Sequence, residues 1–245
     1  MPSARRCGGL DFRSLLRFLA FAALTALPAW GISAAPANAA DCRSQPAPGV
    51  DWQDCNKSNI VIRGANLSGA NLSGADLTMT DLRSTTLSGA KLQKATLVRS
   101  SLAGADATGA DFSRVEAYRA NFTGIIAPGS SFSSAELQRA DFISAELTNA
   151  MFEKAELGRA DFEGAVIGGA KFAYANLSRA QFRGATINAP VDFTGAFMFL
   201  TRIEGVDLSA ATGLAQAQID LACGDAKTRL PSGLAASQSW PCSFD

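Results

Sequence analysis

The stretch Ala65-Asn66-Leu67-Ser68-Gly69, Ala70-Asn71-Leu72-Ser73-Gly74, Ala75-Asp76-Leu77-Thr78-Met79 gives one pattern three times in fifteen residues. A large apolar residue returns at every fifth position, with a small one two places before it. The frame runs unbroken from Ile60 to Ala189. From Ile62 to Ile187 the 26 central positions hold 12 Leu, 8 Phe, 3 Ile and 3 Ala, and Ala fills 19 of the 26 positions two residues earlier. Side chains repeat about every 3.6 residues in a helix and every 2 in a strand, so neither element accounts for a period of five. A fixed short repeat signals stacked coils, with a backbone that turns often around a narrow interior.

These pentads resemble the pentapeptide-repeat family, whose pattern is Ala-(Asp/Asn)-Leu-x-x. Over Val50 to Ser209 the resemblance implies an all-β solenoid, a right-handed four-sided β-helix of about eight coils with four pentads in each. Two features of the chain fit such a coil. Phe occupies centres 112, 122, 132, 142, 152, 162, 172 and 182, with Leu or Ile between them from Leu137 to Ile187. Phe then lies on two opposite sides and aliphatics on the other two, so bulk alternates around the core. Arg99, Arg119, Arg139, Arg159 and Arg179 recur at every twentieth residue, one per coil on a single edge. Asp or Asn precedes 10 of the 26 centres and can bond nearby backbone to favour a turn.

Residues 1–39 read as a secretory signal peptide, with Arg5, Arg6, Arg13 and Arg17 ahead of the apolar segment Phe18 to Leu27. Ala37-Asn38-Ala39 offers a small-x-small cleavage site. Cleavage predicts a periplasmic or secreted protein with no transmembrane span in the mature chain. The full chain balances 22 basic against 22 acidic residues; without residues 1–39 the count is 18 against 21, a net charge of −3. That balance argues against nucleic acid as a partner.

Cys42, Cys55, Cys223 and Cys242 remain after cleavage, an even number that fits an oxidising compartment. In the solenoid that the resemblance implies, coils about 4.8 Å apart separate the two ends too far for one disulfide to join them. The expected pairs are therefore Cys42–Cys55 and Cys223–Cys242, one at each end. Residues 40–59, with Trp52 and Lys57 at centre positions, predict an N-terminal cap. Residues 60–209 form the repeat region, and residues 210–245 predict a C-terminal cap. Within that cap Thr212 to Gly224 has the punctuation of a short helix, with Thr212 as N-cap and Leu214 and Leu221 as apolar contacts. Phe197 and Phe199 flank a centre and should form an outward patch that meets this cap. Ile125-Ile126-Ala127-Pro128-Gly129 departs most from the pattern and predicts a local distortion. A one-residue slip at Pro190 predicts a bulge-like insertion.

The outer surface divides into edges. Two end their pentads in small residues, and two in long, mostly basic ones: Lys94, Arg114, Lys154 and Tyr174 on one, the five Arg on the next. Glu116, Glu136 and Glu156 lie on the face between them, again one per coil. One reading is a ladder of surface ion pairs in which Glu116, Glu136, Glu156, Asp141 and Asp161 offset the Arg repulsion. The other is a contact strip for a protein or an acidic polymer. Catalytic, cofactor-binding and metal positions are not expected: there is no His, the cysteines pair, and no carboxylate pair stands out from the pattern. No small-molecule substrate is expected either. The sequence thus predicts a non-enzymatic exported scaffold or interaction protein. The family resemblance implies an alternative, a DNA-mimic inhibitor of a gyrase-type topoisomerase.

Overall fold

The computed structural model describes residues 40–242, so the signal-peptide expectation for residues 1–39 lies outside the described residues. Parallel bridges join the residue before each centre to its counterpart twenty residues on, from Asp51↔Asn71 to Val166↔Thr186. Between bridges the chain turns once per pentad. Ala65 N donates to Ile62 O at 3.1 Å and Ala70 N to Leu67 O at 3.0 Å. The third residue of each such turn is left-handed, as at Gly64 (φ +67°) and Gly69 (φ +63°), the geometry of a type II turn. Each twenty-residue coil therefore has four straight segments and four corners. Asn and Asp before the centre close the turn from outside: Asn66 Oδ1 accepts from Ser68 N at 3.0 Å, and Asp76 Oδ1 from Thr78 N at 2.9 Å.

Every centre from Leu67 to Phe182 is buried, while Ile62 and Ile187 are partly buried. The Phe centres stack over one another from coil to coil, with ring centroids 4.7–5.0 Å apart between Phe112 and Phe132 and on through Phe162 and Phe182. Rings on opposite sides meet edge to face, as between Phe142 and Phe152 at 5.7 Å and 89°. Both arrangements suit the ring quadrupole, and Ala beside each centre lets the walls approach. Where the Ala position is polar, its hydroxyl is satisfied by backbone: Thr85 Oγ1 donates to Leu82 O at 2.7 Å.

Three expectations need correction. Ile125 to Gly129 is not distorted: Ile126 bridges both Asp106 and Glu146, Ile125 and Ala127 are buried, and Gly129 has φ +66°. The reason is that Pro128-Gly129 fills the two middle positions of a type II turn, where Pro presets the second residue and Gly the third. The only helix among the described residues, α1 (Gln216–Leu221), starts at N-cap Ala215 rather than Thr212, and Ile219 is its buried residue whereas Leu221 is 41% exposed. Phe197 and Phe199 do point outward, but at 51% and 41% exposure the C-terminal segment does not cover them. Bridges that cross Pro190 have a spacing of twenty-one, as Lys171↔Asp192 and Gln181↔Arg202 show, which is what one inserted residue at a corner produces, and Asp192↔Thr212 beyond it returns to twenty.

At the start of the described chain Trp52 is fully buried at a centre position. Its Nε1 donates to Ser44 Oγ at 2.8 Å, and Lys57 Nζ lies 3.8 Å from its ring centroid. Burial holds the Lys57 amine below its ordinary pKa, with Asp41 opposing that shift. Cys42 is bonded to Cys55 in this segment, and Cys223 to Cys242 near the other terminus. Gln218 of α1 donates from Nε2 to Phe193 O and Ala196 O, each at 2.9 Å, and so satisfies carbonyls of the preceding coil. Trp240 Nε1 donates to Ala222 O at 2.6 Å.

Candidate functional site

Arg99, Arg119, Arg139, Arg159 and Arg179 stand at successive corners of one edge, all exposed. Their spacing along the edge follows the coil rise, which the Phe stack beneath them sets at 4.7–5.0 Å. All five are in the left-handed conformation, with φ between +56° and +61°. For a side chain with a Cβ that conformation costs about 1–2 kcal/mol, whereas Gly adopts it freely. On the two small edges the same corner is mostly Gly, as at Gly104, Gly109, Gly124 and Gly129. Lys94, Arg114, Lys154 and Tyr174 on the other basic edge are left-handed too. The sequence carried the signal for this strain: Gly recurs at the last position of the pentad, which marks that position as the turn's left-handed one.

The ladder of ion pairs is absent among the described residues. None of the five Arg forms a salt bridge; the pairs present are Arg63–Asp81, Arg83–Asp81, Arg183–Glu163, Arg202–Glu204 and Arg229–Asp207. Glu116, Glu136 and Glu156 bridge one another through their backbones and are exposed, but their carboxylates do not reach the Arg column. Glu156 Oε2 instead accepts from Asn176 Nδ2 at 2.8 Å. The Asp carboxylates beside the column bond within their own pentads, with Asp141 Oδ1 accepting from Ile143 N at 3.1 Å and Asp161 Oδ1 from Glu163 N at 2.9 Å. An exposed ion pair gains too little to hold two long side chains in one geometry. Arg119 leans along the surface toward an aromatic neighbour, with its Cζ 5.3 Å from the Tyr118 ring centroid. Asp161 shows the same lack of pairing from the acid side. Burial raises its pKa, Asp141 and Glu163 add to the rise, and the opposing influences are its bond from Glu163 N and the charge of Arg183.

The surroundings of the column change along its length. Arg139 lies between Glu136 and Asp141, and Arg159 between Glu156 and Asp161. One coil on, Arg179 lies between two neutral amides, Asn176 and Gln181; on the next, Leu200 lies between Phe197 and Arg202. Beside Arg159 and Arg179 the outward residues Gly158 and Ser178 are small, and a Cβ at Gly158 would find nothing closer than 3.9 Å. The result is an open pocket of about 560 Å³ lined by Arg139, Arg159, Arg179, Gln181, Leu200, Arg202 and Cys223. Sequence reasoning placed three of these residues on one edge. It missed Gln181, which stands one position before a centre on the adjoining face. It also missed Leu200, Arg202 and Cys223, because the slip at Pro190 and the return of the chain after α1 bring them there. Cys42 and Cys55 lie in the N-terminal segment, away from this pocket.

Family models described as pentapeptide repeats match residues 53–89, 87–124, 118–153 and 130–169, and a second such model matches residues 152–196. No curated protein matches the chain. Among solved structures, HetL, a pentapeptide repeat protein involved in heterocyst differentiation regulation from the cyanobacterium Nostoc sp. strain PCC 7120, is 25% identical, with 79% of this chain and 87% of that one covered and a TM-score of 0.37. QnrB1, a plasmid-mediated fluoroquinolone resistance protein, is 16% identical over 72% of this chain and 94% of its own, with a TM-score of 0.37. A pentapeptide repeat protein from the Arabidopsis thaliana thylakoid lumen is 26% identical over 49% of this chain and 67% of its own, with a TM-score of 0.19. The family models together reach from residue 53 to residue 196, more than half of the chain, over the same pentads that the parallel bridges stack. The chain belongs to the pentapeptide-repeat family.

Proposed function

We propose that this protein is an exported, non-enzymatic interaction scaffold that binds an acidic partner through the edge bearing Arg99 to Arg179. One observation carries the reading: five Arg occupy left-handed corners without salt bridges, where Gly would be less strained. A column that served only the fold would gain from Gly, as the small edges do. Strain held at an exposed, unpaired charged edge is the pattern expected of a surface used for recognition. A solenoid with a cap at each end suits this role, since it presents one side chain per coil at fixed spacing. The two disulfides are compatible with an oxidising compartment, and cleavage after residues 1–39 would deliver the chain there.

The test has two parts. Protein recovered from the native host should start near Ala40, reside outside the cytoplasm and contain no free thiol. It should also capture a partner from that fraction, and replacing Arg119, Arg139 and Arg159 by Gln should abolish capture while hardly moving Tm. A full-length chain in the cytoplasm with all five cysteines as free thiols would overturn the export reading and return the DNA-mimic alternative. Capture that survives the triple change would overturn the Arg edge as the contact.

A further inference from the structure

The geometry points to the pocket at the C-terminal end of the Arg column as the anchoring subsite for a linear anionic polysaccharide, one bearing carboxylate or sulfate groups on its sugars. This inference rests on the exported-scaffold reading and adds the chemical class of the partner.

Charge comes first. Acids flank the column on both sides at Arg139 and Arg159, whereas Arg179 lies between the neutral Asn176 and Gln181, as Arg99 at the other end lies between Thr96 and Ser101. Arg139, Arg159, Arg179 and Arg202 converge on one pocket there, and Gln181 adds an amide that can both donate and accept. Guanidinium forks recognise planar carboxylates and sulfate-type oxyanions through paired, charge-assisted hydrogen bonds. Arg202 is held by Glu204, so it shapes one wall while the Arg column supplies the unpaired donors. The volume, about 560 Å³, suits a small-molecule-sized unit such as one or two sugar rings.

Spacing decides between polymers. Donors recur every 4.7–5.0 Å along the column, the rise of the coils. A sugar ring with its glycosidic oxygen spans about one such step, so charges borne on every ring, or every second ring, keep register with the corners. An extended acidic peptide repeats its same-side groups at about 6.6–6.8 Å and drifts out of register within two coils. Duplex DNA presents a charge about every 3.4 Å on each strand, which also fails to match.

The third observation is aromatic. Phe197 and Phe199 are 51% and 41% exposed and stack on each other with centroids 6.4 Å apart. Phe199 O accepts from Arg179 N at 2.8 Å, and the next residue, Leu200, lines the pocket. An apolar ring platform beside cationic donors matches the two surfaces of an anionic sugar: the C–H face of the ring and the charged group at its edge.

The experiment uses the mature chain and oligogalacturonates of graded length, followed by calorimetry. Binding should tighten with chain length, and a dextran sulfate arm should also bind, while neutral dextran should not. Arg159→Gly with Arg179→Gly should raise Tm, because it removes left-handed strain, and should weaken binding by about tenfold or more per guanidinium lost. Arg63→Gln with Arg83→Gln removes the same charge elsewhere and should leave affinity within about twofold. Phe197→Ser with Phe199→Ser should weaken the sugar polymers but not poly-L-glutamate. Failure of every sugar polymer to bind, or binding unchanged in the Arg159→Gly, Arg179→Gly variant, overturns the proposal. If poly-L-glutamate binds through the same Arg more tightly than the sugars, the glycan assignment fails and the scaffold reading stands. If native-partner capture also ignores the Arg column, both fail.

Discussion

A single Phe centre shows how little latitude the interior has. Phe142 stacks on Phe122 at 4.7 Å and on Phe162 at 5.0 Å, and meets Phe132 and Phe152 edge to face. Phe142→Ala should cost about 3–5 kcal/mol. Phe142→Asp should cost more, because its charge would be buried without a partner. Thermal unfolding checks both, and an unchanged Tm would refute the inward assignment. Asp161 gives a prediction of the opposite sign. Its folded-state pKa is raised, by burial first and then by Asp141 and Glu163. Stability linked to a raised pKa is present below the unfolded carboxylate value and lost as pH rises through the folded one. Asp161→Asn should therefore raise Tm at pH 7, and the gain should vanish as pH falls to about 4. Asn keeps the acceptor for Glu163 N, now at 2.9 Å, and solvent screening limits the gain to about 1 kcal/mol. A gain that persists at low pH would show that something other than charge is relieved.

At the scale of the turn and the helix, legibility followed periodicity. The pentad centres, the Phe stack and the edge bearing the five Arg could be read from spacing, because each depends on the same five-residue period that builds the coil. The C-terminal segment has no such period, and there local punctuation misled. Thr212 looks like an N-cap, but its backbone N donates to Val191 O at 2.9 Å, so it still belongs to the coil and α1 begins later. Ile125 to Gly129 reads as a break because Ala127 is a small centre, Ile126 stands where Asp or Asn is usual and Pro-Gly signals a turn; in a fold made of type II turns Pro-Gly is the favoured pair. The pocket was illegible for the related reason that Arg202 and Cys223 join the column from beyond the slip at Pro190. Gln218 is where α1 meets the coil. It donates to Phe193 O and Ala196 O, and its Oε1 accepts from Ala215 N at 2.8 Å. Gln218→Ala should cost about 1–3 kcal/mol locally, since Ala196 O loses its donor, while Phe193 O keeps the bond from Ala196 N. Hydrogen exchange should rise at Phe193 to Cys223 and stay unchanged near Leu82; a uniform rise would mean that α1 supports the entire coil.

Stacked coils contact only their neighbours, so stability is close to a sum of coil and interface contributions, and unfolding proceeds from a weak end. The two ends of this molecule differ. From Leu67 to Leu102 every centre is Leu, whereas from Phe112 to Phe193 alternate sides carry stacked Phe. Phe buries more area than Leu and gains about 0.5–1.5 kcal/mol per ring pair beyond that area. The disulfides act at opposite ends, closing loops with sequence separations of 13 and 19, each worth about 3 kcal/mol by loop entropy. In the oxidised protein the Cys42–Cys55 link therefore holds the weaker end. Reduction should open residues 40–105 first, with Phe112 to Phe193 protected until more denaturant is added. Cys42→Ser with Cys55→Ser should reproduce that order, while Cys223→Ser with Cys242→Ser should loosen only the segment after Leu208. Peptide-resolved hydrogen exchange across a denaturant series reads the order directly. If both pairs of substitutions instead melt the protein in one step with equal loss, the coils are a single cooperative unit and the Phe stack does not set where unfolding begins.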